Sequence, residues 1–151
     1  MRIIHVFVLL LLGVAACAAT PIKGLLERID KGASRKFIIE QTNAPTDFFE
    51  LDQKDDKVVV RGNNYVCIAT GLNWYLKYYA GIHLSWNSMQ AELPEVLPAV
   101  KQKERHETTM KYRYNFNYCT FSYTMAFWDW ERWEKEIDWM ALHGINLPLS
   151  I

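Results

Sequence analysis

The side chains best suited to chemistry lie in the last part of this 151-residue chain. Five carboxylates are close together there: Asp129, Glu131, Glu134, Glu136 and Asp138. Paired carboxylates can move protons or attack as nucleophiles in hydrolytic reactions. Here, however, they fall between the apolar positions of an amphipathic helical pattern. Such acids are typically solvated or ion-paired, so we interpret these five as structural.

Cysteine and histidine offer little further chemistry. Cys119 is a candidate nucleophile by residue type, but no histidine lies near it in the sequence and no activating residue can be identified. The cysteines show no paired short spacing and the four histidines are scattered, so the sequence predicts no structural zinc site. Cys67 is interpreted as a small buried residue. A disulfide between Cys67 and Cys119 would need an oxidising compartment, and nothing in the sequence brings the two together.

The elements that position these side chains are predicted from their periodicity. Aromatic and polar residues alternate over 112–118, which predicts a strand with two different faces. From Trp130 the apolar spacing becomes three or four residues, which predicts a helix that ends at Gly144 as a left-handed cap. Alternation returns over 145–151. Residues 111–151 are therefore expected to form a βαβ unit with parallel strands.

The run YRYNFNYCTFSYTMAFWDWERWEKEIDWMALHGINLPL resembles the first barrel strand and helix of the α-N-acetylglucosaminidases, the family 89 glycoside hydrolases. The resemblance implies exo-hydrolysis of terminal α-linked N-acetylglucosamine with retention of configuration, and it implies no cofactor. It also implies an α/β fold class: a small α+β amino-terminal domain followed by the first βαβ part of a truncated (β/α)8 TIM barrel. A complete barrel needs about 250 residues and cannot fit in this chain.

Three residues are candidates for substrate binding. By the resemblance, Asn117, Cys119 and Tyr123 match family positions that line the pocket for the terminal N-acetylglucosamine. The Asn amide can donate and accept hydrogen bonds, the Tyr has a ring face and a hydroxyl, and the thiol makes a small close contact. From the spacing alone, ordinary barrel-interior packing is the preferred interpretation of the three. Arg113 and Asn115 lie deeper on the same predicted strand face, and we interpret them as structural.

No catalytic residue is expected in this chain, because the resemblance places the two catalytic glutamates of the family on later barrel strands. The acidic helix should pack outside the barrel, away from its mouth. Trp130 and Trp133 have the spacing of a buried helix stripe, so we interpret them as core residues instead of sugar-stacking platforms. Trp128, in the loop before the helix, is a weaker pocket candidate.

Residues 1–19 have the three-part form of a secretion signal, with Arg2, an apolar run and then small residues. The apolar run is short for a membrane span. Val14-Ala15-Ala16-Cys17 resembles the bacterial lipoprotein signal, which makes Cys17 the candidate site of lipid attachment. Ordinary cleavage and a retained membrane anchor are the alternatives. We expect an exported protein which, if bacterial, lies in the periplasm or is a lipoprotein of the outer membrane.

Residues 20–88 are predicted to form the α+β domain. Its expected elements are a helix around Leu25, strands at 37–39, 48–51 and 58–60, a helix from Tyr65 that Asn63 or Asn64 caps, and a fourth strand at 82–86. Residues 89–110 lose their aromatics and gain two prolines and a charged run, which predicts an extended linker into the barrel.

The 17 basic and 17 acidic side chains cancel, so no nucleic-acid partner is expected, whereas a neutral glycan is compatible with this balance. Two hypotheses follow. The first is the amino-terminal fragment of an α-N-acetylglucosaminidase that acts on glycans with terminal α-N-acetylglucosamine and is inactive as this isolated chain. The alternative is a non-catalytic, exported carbohydrate-binding lipoprotein. The oligomeric state is not predicted.

Overall fold

The computed structural model describes residues 20–149. The helices are α1 (Pro21–Ile29), α2 (Tyr65–Tyr78), α3 (Tyr118–Tyr123) and α4 (Trp130–Leu142), with short 3-10 turns at Ala33–Lys36 and Met125–Phe127. The strands are β1 (Phe37–Gln41), β2 (Asp47–Lys54), β3 (Lys57–Gly62), β4 (Glu104–Thr108), β5 (Tyr114–Asn115) and β6 (Leu147–Pro148). The predicted signal with Cys17 and the end of the last predicted strand lie outside the described residues.

A four-stranded mixed sheet in the order β1-β3-β2-β4 forms the centre of the amino-terminal part. β2 and β3 form an antiparallel hairpin whose turn contains Asp55 with a φ of 54°. β1 lies parallel to β3, with Phe37 opposite Val58, and β4 lies antiparallel to β2, with His106 opposite Phe49. The first three predicted strands are therefore confirmed.

Two helices cover one face of this sheet. α1 buries four apolar residues spaced as one helical stripe, namely Ile22, Leu25, Leu26 and Ile29. α2 buries Leu72, Tyr75 and Leu76 completely. They pack against the alternate sheet residues that face them, including Val58 and Val60. Asn64 caps α2, since its Oδ1 accepts a hydrogen bond from the Cys67 amide at 2.9 Å. None of the helices in residues 20–149 is both long and apolar enough to cross a bilayer.

The prediction of a fourth strand at 82–86 is wrong. Leu84 is buried in the core, but Ser85 pairs only with Ser88, in a tight turn. The fourth strand is β4, which falls within the predicted linker 89–110. β4 lies at the edge of the sheet and is rich in charged residues, which discourage pairing with other chains. This charged composition is the reason why the sequence did not predict a strand there.

The segment 89–103 is extended and irregular, yet it contributes to the core. Met89, Leu93, Leu97 and Val100 are all buried there. The interpretation of a plain linker was therefore incomplete: these residues close the open side of the core while they lead the chain to β4. Their spacing of four, four and three residues resembles a helical stripe, but Pro94 and Pro98 interrupt it and the backbone there is irregular, so the spacing did not reveal their burial. The predicted domain boundaries themselves stay predictions.

The βαβ unit is confirmed. β5 and β6 are parallel, with Tyr114 opposite Leu147, and α4 lies between them in the sequence. Asp129 caps α4 by accepting a hydrogen bond from the Arg132 amide at 2.9 Å, and Gly144 follows the helix with a φ of 76°. The first strand is shorter than predicted, however, and stops at Asn115.

We predict that Gly71→Ala destabilises the chain, because α2 packs very closely on the sheet at this position. A Cβ at Gly71 would lie 3.0 Å from Val60 Cγ1 and 3.1 Å from Phe49 Cβ. Overpacking a core costs about 1–3 kcal/mol, which outweighs a gain in helix propensity of about 1 kcal/mol. The measurement is the free energy of unfolding in urea.

Gly24→Ala in α1 is the matched control. Its Cβ would meet only Arg28 Nη1, at 3.2 Å, at the end of a long side chain and away from the packed sheet, so the variant should be more stable than Gly71→Ala. Equal stabilisation by both substitutions would show that α2 has room for a larger residue.

Candidate functional site

The three predicted sugar-binding residues lie together on one short helix. Asn117 is the N-cap of α3, and its Oδ1 accepts hydrogen bonds from the Thr120 amide at 3.1 Å and the Thr120 hydroxyl at 3.3 Å. Cys119 lies in the first turn and Tyr123 is the last residue, so their four-residue spacing places them on one side of the helix. All three are exposed, Tyr123 by 81%. Their role in substrate binding stays a prediction.

The placement of Asn117 differs from the expectation, since the strand predicted over 112–118 contains it. Phe116 has a φ of 73°, in the left-handed region, and this turns the chain out of β5. Asn117 then adopts an extended backbone and starts α3. The available signal was Asn117 followed three residues later by Thr120, since Asn is a favoured N-cap. The alternation of aromatic residues concealed it.

Arg113 connects this region to the amino-terminal sheet. Its Nη2 donates to Asp47 Oδ2 at 2.7 Å, its Nη1 donates to the Met110 carbonyl at 2.7 Å, and its Nε donates to the Gly144 carbonyl. The Arg113 amide also donates to Asn146 Oδ1 at 2.9 Å. The structural role predicted for Arg113 is therefore confirmed, and its partners come from three separate segments.

The partially buried Asp47 carboxylate has a pKa below its ordinary value. Burial raises this pKa, but hydrogen bonds from Arg113 and Asn63 together with the Arg113 charge outweigh the burial. Burial is also the main cause that raises the pKa of the nearby Cys67 thiol. Cys67 is buried and Cys119 is exposed, and both are free thiols. The interpretation of Cys67 as a small buried residue is thus confirmed.

Three acids of α4 form ion pairs, namely Glu134, Glu136 and Asp138, and the last two are buried. Asp138 accepts two hydrogen bonds from Arg28 of α1, at 2.6 and 2.7 Å, and Glu134 lies 3.5 Å from the same guanidinium. Glu136 is 2% exposed and accepts from Arg132 at 2.7 Å and from Trp86 Nε1 at 2.5 Å. These carboxylates hold α4 against the amino-terminal part and are unsuited to proton transfer at an open cleft.

The predicted buried Trp stripe on α4 is wrong. Trp130 is 69% exposed, and Trp133 is only half-buried. The buried residues of α4 are instead Glu136, Asp138, Met140 and Leu142. The prediction failed because α4 packs on α2, and neighbouring cations and an indole N–H offset the cost of burying its acids.

The Trp128 ring packs against other side chains of the protein. The Arg132 guanidinium carbon lies 4.0 Å from its ring centroid, and Trp133 and Phe116 approach it edge to face at 5.1 and 6.4 Å. Trp128 therefore joins α4 to the turn before α3. Among residues 20–149, no cluster of three or more His, Cys, Asp or Glu side chains could hold a metal ion.

The fold thus defines the class of protein: a mixed α+β domain followed by the first βαβ unit of a parallel barrel. The family model of the α-N-acetylglucosaminidase N-terminal domain matches residues 20–99, and the model of that family's TIM-barrel domain matches residues 113–151. The chain belongs to the α-N-acetylglucosaminidase family, and it corresponds to the amino-terminal part of such a protein.

Comparisons with individual proteins agree with this family assignment. Human α-N-acetylglucosaminidase is 50% identical over 94 residues, which are 62% of this chain and 13% of the human protein. A family 89 glycoside hydrolase from Clostridium perfringens in complex with PUGNAc superposes with a TM-score of 0.79 at 40% identity, over 86% of this chain and 15% of the other. A Clostridium perfringens protein with two Glu→Gln substitutions, in complex with its substrate GlcNAc-alpha-1,4-galactose, superposes with a TM-score of 0.77 at 39% identity. This superposition covers 85% of this chain and 15% of the other. The family and fold-class predictions are confirmed.

We predict that Asp47 makes the stability of the chain fall in acid. A carboxyl whose folded pKa is depressed contributes stability above its unfolded pKa of about 4, and this contribution is lost as the pH falls through the folded value. Asp47→Asn should therefore destabilise the chain near pH 6 by about 1–3 kcal/mol. The difference in unfolding free energy between parent and variant should shrink toward about pH 2. A difference independent of pH would contradict this account.

Proposed function

We propose that this chain is the amino-terminal part of an exported, exo-acting, retaining α-N-acetylglucosaminidase that removes terminal α-linked N-acetylglucosamine from glycans. The observation that supports this most strongly is the match to two consecutive domains of one family, together with a superposition that covers 86% of the chain. The chain spans 13–15% of the length of these relatives, so the activity belongs to a longer protein.

In this proposal α3 forms one wall of the sugar pocket. Because the Oδ1 of Asn117 is occupied by the cap of α3, its amide NH2 group is the part that donates to an oxygen of the sugar. Cys119 supplies a small contact, and Tyr123 on the same side supplies a ring face and a hydroxyl. The exposure of all three fits a pocket whose other walls come from further barrel strands.

The reaction proceeds by double displacement. One carboxylic acid protonates the leaving oxygen, and a second carboxylate attacks the anomeric carbon to form a glycosyl-enzyme intermediate that water then hydrolyses. The α4 acids do not fill these roles, because Glu136 and Asp138 are buried in ion pairs with Arg132 and Arg28. The catalytic pair belongs to later strands, and the isolated chain is inactive.

We predict that the purified 151-residue chain does not hydrolyse an aryl α-N-acetylglucosaminide, because two of eight barrel strands cannot enclose the pocket. A longer protein read from the same gene, containing the remaining strands, should release the aryl group, and proton NMR should show the α-anomer as the first product. Turnover by the chain alone, or a β-anomer as the first product, would contradict the proposal.

We also propose that the chain is exported and that Cys17 is its lipid attachment site. In a bacterial host, a palmitate analogue should label the expressed chain, and Cys17→Ser should abolish the label. Cys17 lies in the sequence Val14-Ala15-Ala16-Cys17, whereas the control Cys119→Ser should keep the label because Cys119 lies far from the signal. Export of an unlabelled chain would favour ordinary cleavage.

The alternative is a non-catalytic carbohydrate-binding lipoprotein. Exposed aromatic side chains support it, since rings such as Tyr112, Tyr118 and Tyr123, between 65% and 81% exposed, can stack on sugars. Titration of the soluble chain with N-acetylglucosamine separates the two functions. Saturable binding by a monomer at millimolar concentration or below favours the binding protein, and absence of binding favours the enzyme fragment.

A further inference from the structure

Trp86 belongs to the amino-terminal part of the chain but contacts the start of the barrel. Its indole Nε1 donates to Glu136 Oε2 at 2.5 Å. The Arg132 guanidinium lies over its ring, with Cζ 4.6 Å from the ring centroid. Trp86 sits in the turn between Ser85 and Ser88, and 47% of it is exposed. This indole therefore joins the loop after α2 to α4.

Arg132 extends this contact across α4. Its guanidinium carbon lies 4.0 Å from the centroid of Trp128, so the cation stacks against two indole rings, one from each part of the chain. Glu136 accepts hydrogen bonds from both Trp86 and Arg132, and it is almost completely buried. The shared acceptor and the stacking together restrict Arg132 to one orientation.

Trp128 in turn contacts the residue that starts α3. Its ring meets Phe116 edge to face, at 6.4 Å and 70°, and Phe116 directly precedes the N-cap of α3. Trp86, Thr120 and Thr124 line one cleft together with these two rings. A side chain of the amino-terminal part thus shares a cleft with two threonines at α3.

α3 depends on such contacts for its position. It has six residues and none of them is buried, and so short a helix gains little stability by itself. Its carboxyl end is followed by the buried Met125, which anchors that side. Its amino end is held by the left-handed turn at Phe116, on which the Trp128 ring packs.

We propose that Trp86 is a positioning residue that fixes α3 through Arg132 and Trp128. Since α3 and its cap hold the three proposed sugar-binding residues, the amino-terminal domain takes part in shaping the sugar pocket. The effect of Trp86 on the position of α3 can be measured on this chain alone, whereas the role of α3 in the sugar pocket rests on the proposed function.

The first experiment attaches a nitroxide spin label to Cys119, which is exposed, in a chain that carries Cys17→Ser. Cys67 is buried and its thiol pKa is raised, so it reacts slowly. Trp86→Ala should increase the rate of rotational motion of the label about twofold or more. Trp86→Phe keeps the ring over Arg132 but loses the Nε1 donor, and it should give a smaller increase.

Two controls separate positioning from a general loss of stability. Trp130→Ala removes an indole of the same size that is 69% exposed, and it should leave the motion of the label unchanged. Gly71→Ala weakens the packing between α2 and the sheet, away from α3, and should also leave the label unchanged under native conditions. Unchanged motion in Trp86→Ala, or an equal change in Gly71→Ala, would overturn the proposal.

The second experiment uses the longer enzyme from the same gene. Trp86→Ala should raise KM for the aryl glycoside about three- to tenfold with little change in kcat, because α3 binds the sugar and contributes no reacting group. An unchanged KM would overturn the pocket role of α3. If the parent enzyme shows no turnover, the proposed function fails, and the spin-label result still decides whether Trp86 positions α3.

Discussion

Three acceptors surround the Arg113 guanidinium, and each comes from a different part of the chain. Asp47 lies at the start of β2, the Gly144 carbonyl lies between α4 and β6, and the Met110 carbonyl lies just before β5. A planar cation with donors in fixed directions can satisfy all three only in one arrangement. The position of β5 against the sheet depends on this contact.

The junction between the two parts of the chain combines apolar packing, with Leu142 in the hydrophobic core, and buried ion pairs. Asp138 pairs with Arg28, and Glu136 pairs with Arg132 and Trp86, at positions where α4 faces the amino-terminal part. Burying a carboxylate is costly unless its hydrogen bonds are satisfied, and here each accepts two. Such pairs add little net stability, but they define one orientation, because a shifted helix would leave a buried charge unpaired.

The aromatic side chains of the βαβ unit show where this unit is incomplete. Tyr114, Tyr118, Phe127 and Trp130 are between 57% and 85% exposed, although each is large and mostly apolar. In a complete barrel, further strands and helices would pack against this unit and cover exposed rings of this kind. The amino-terminal sheet, in contrast, has its own core under α1 and α2, with several side chains completely buried.

The sequence by itself determined the elements whose apolar pattern is local. The stripe of α1 follows from helical spacing, β1 to β3 follow from short apolar runs between turn residues, and the βαβ unit follows from a helical stripe between two alternating segments. The long aromatic motif was enough to indicate the family. Three features depended on the tertiary structure. β4 is charged because it lies at an edge, α4 buries acids because Arg28 and Trp86 are opposite them, and Asn117 caps a helix because Phe116 turns the chain. For β4 and α4 the decisive partners are distant in sequence, and residue spacing does not reveal them. For α3 the cap signal at Asn117 was present, but the alternation of aromatic residues around it favoured a strand.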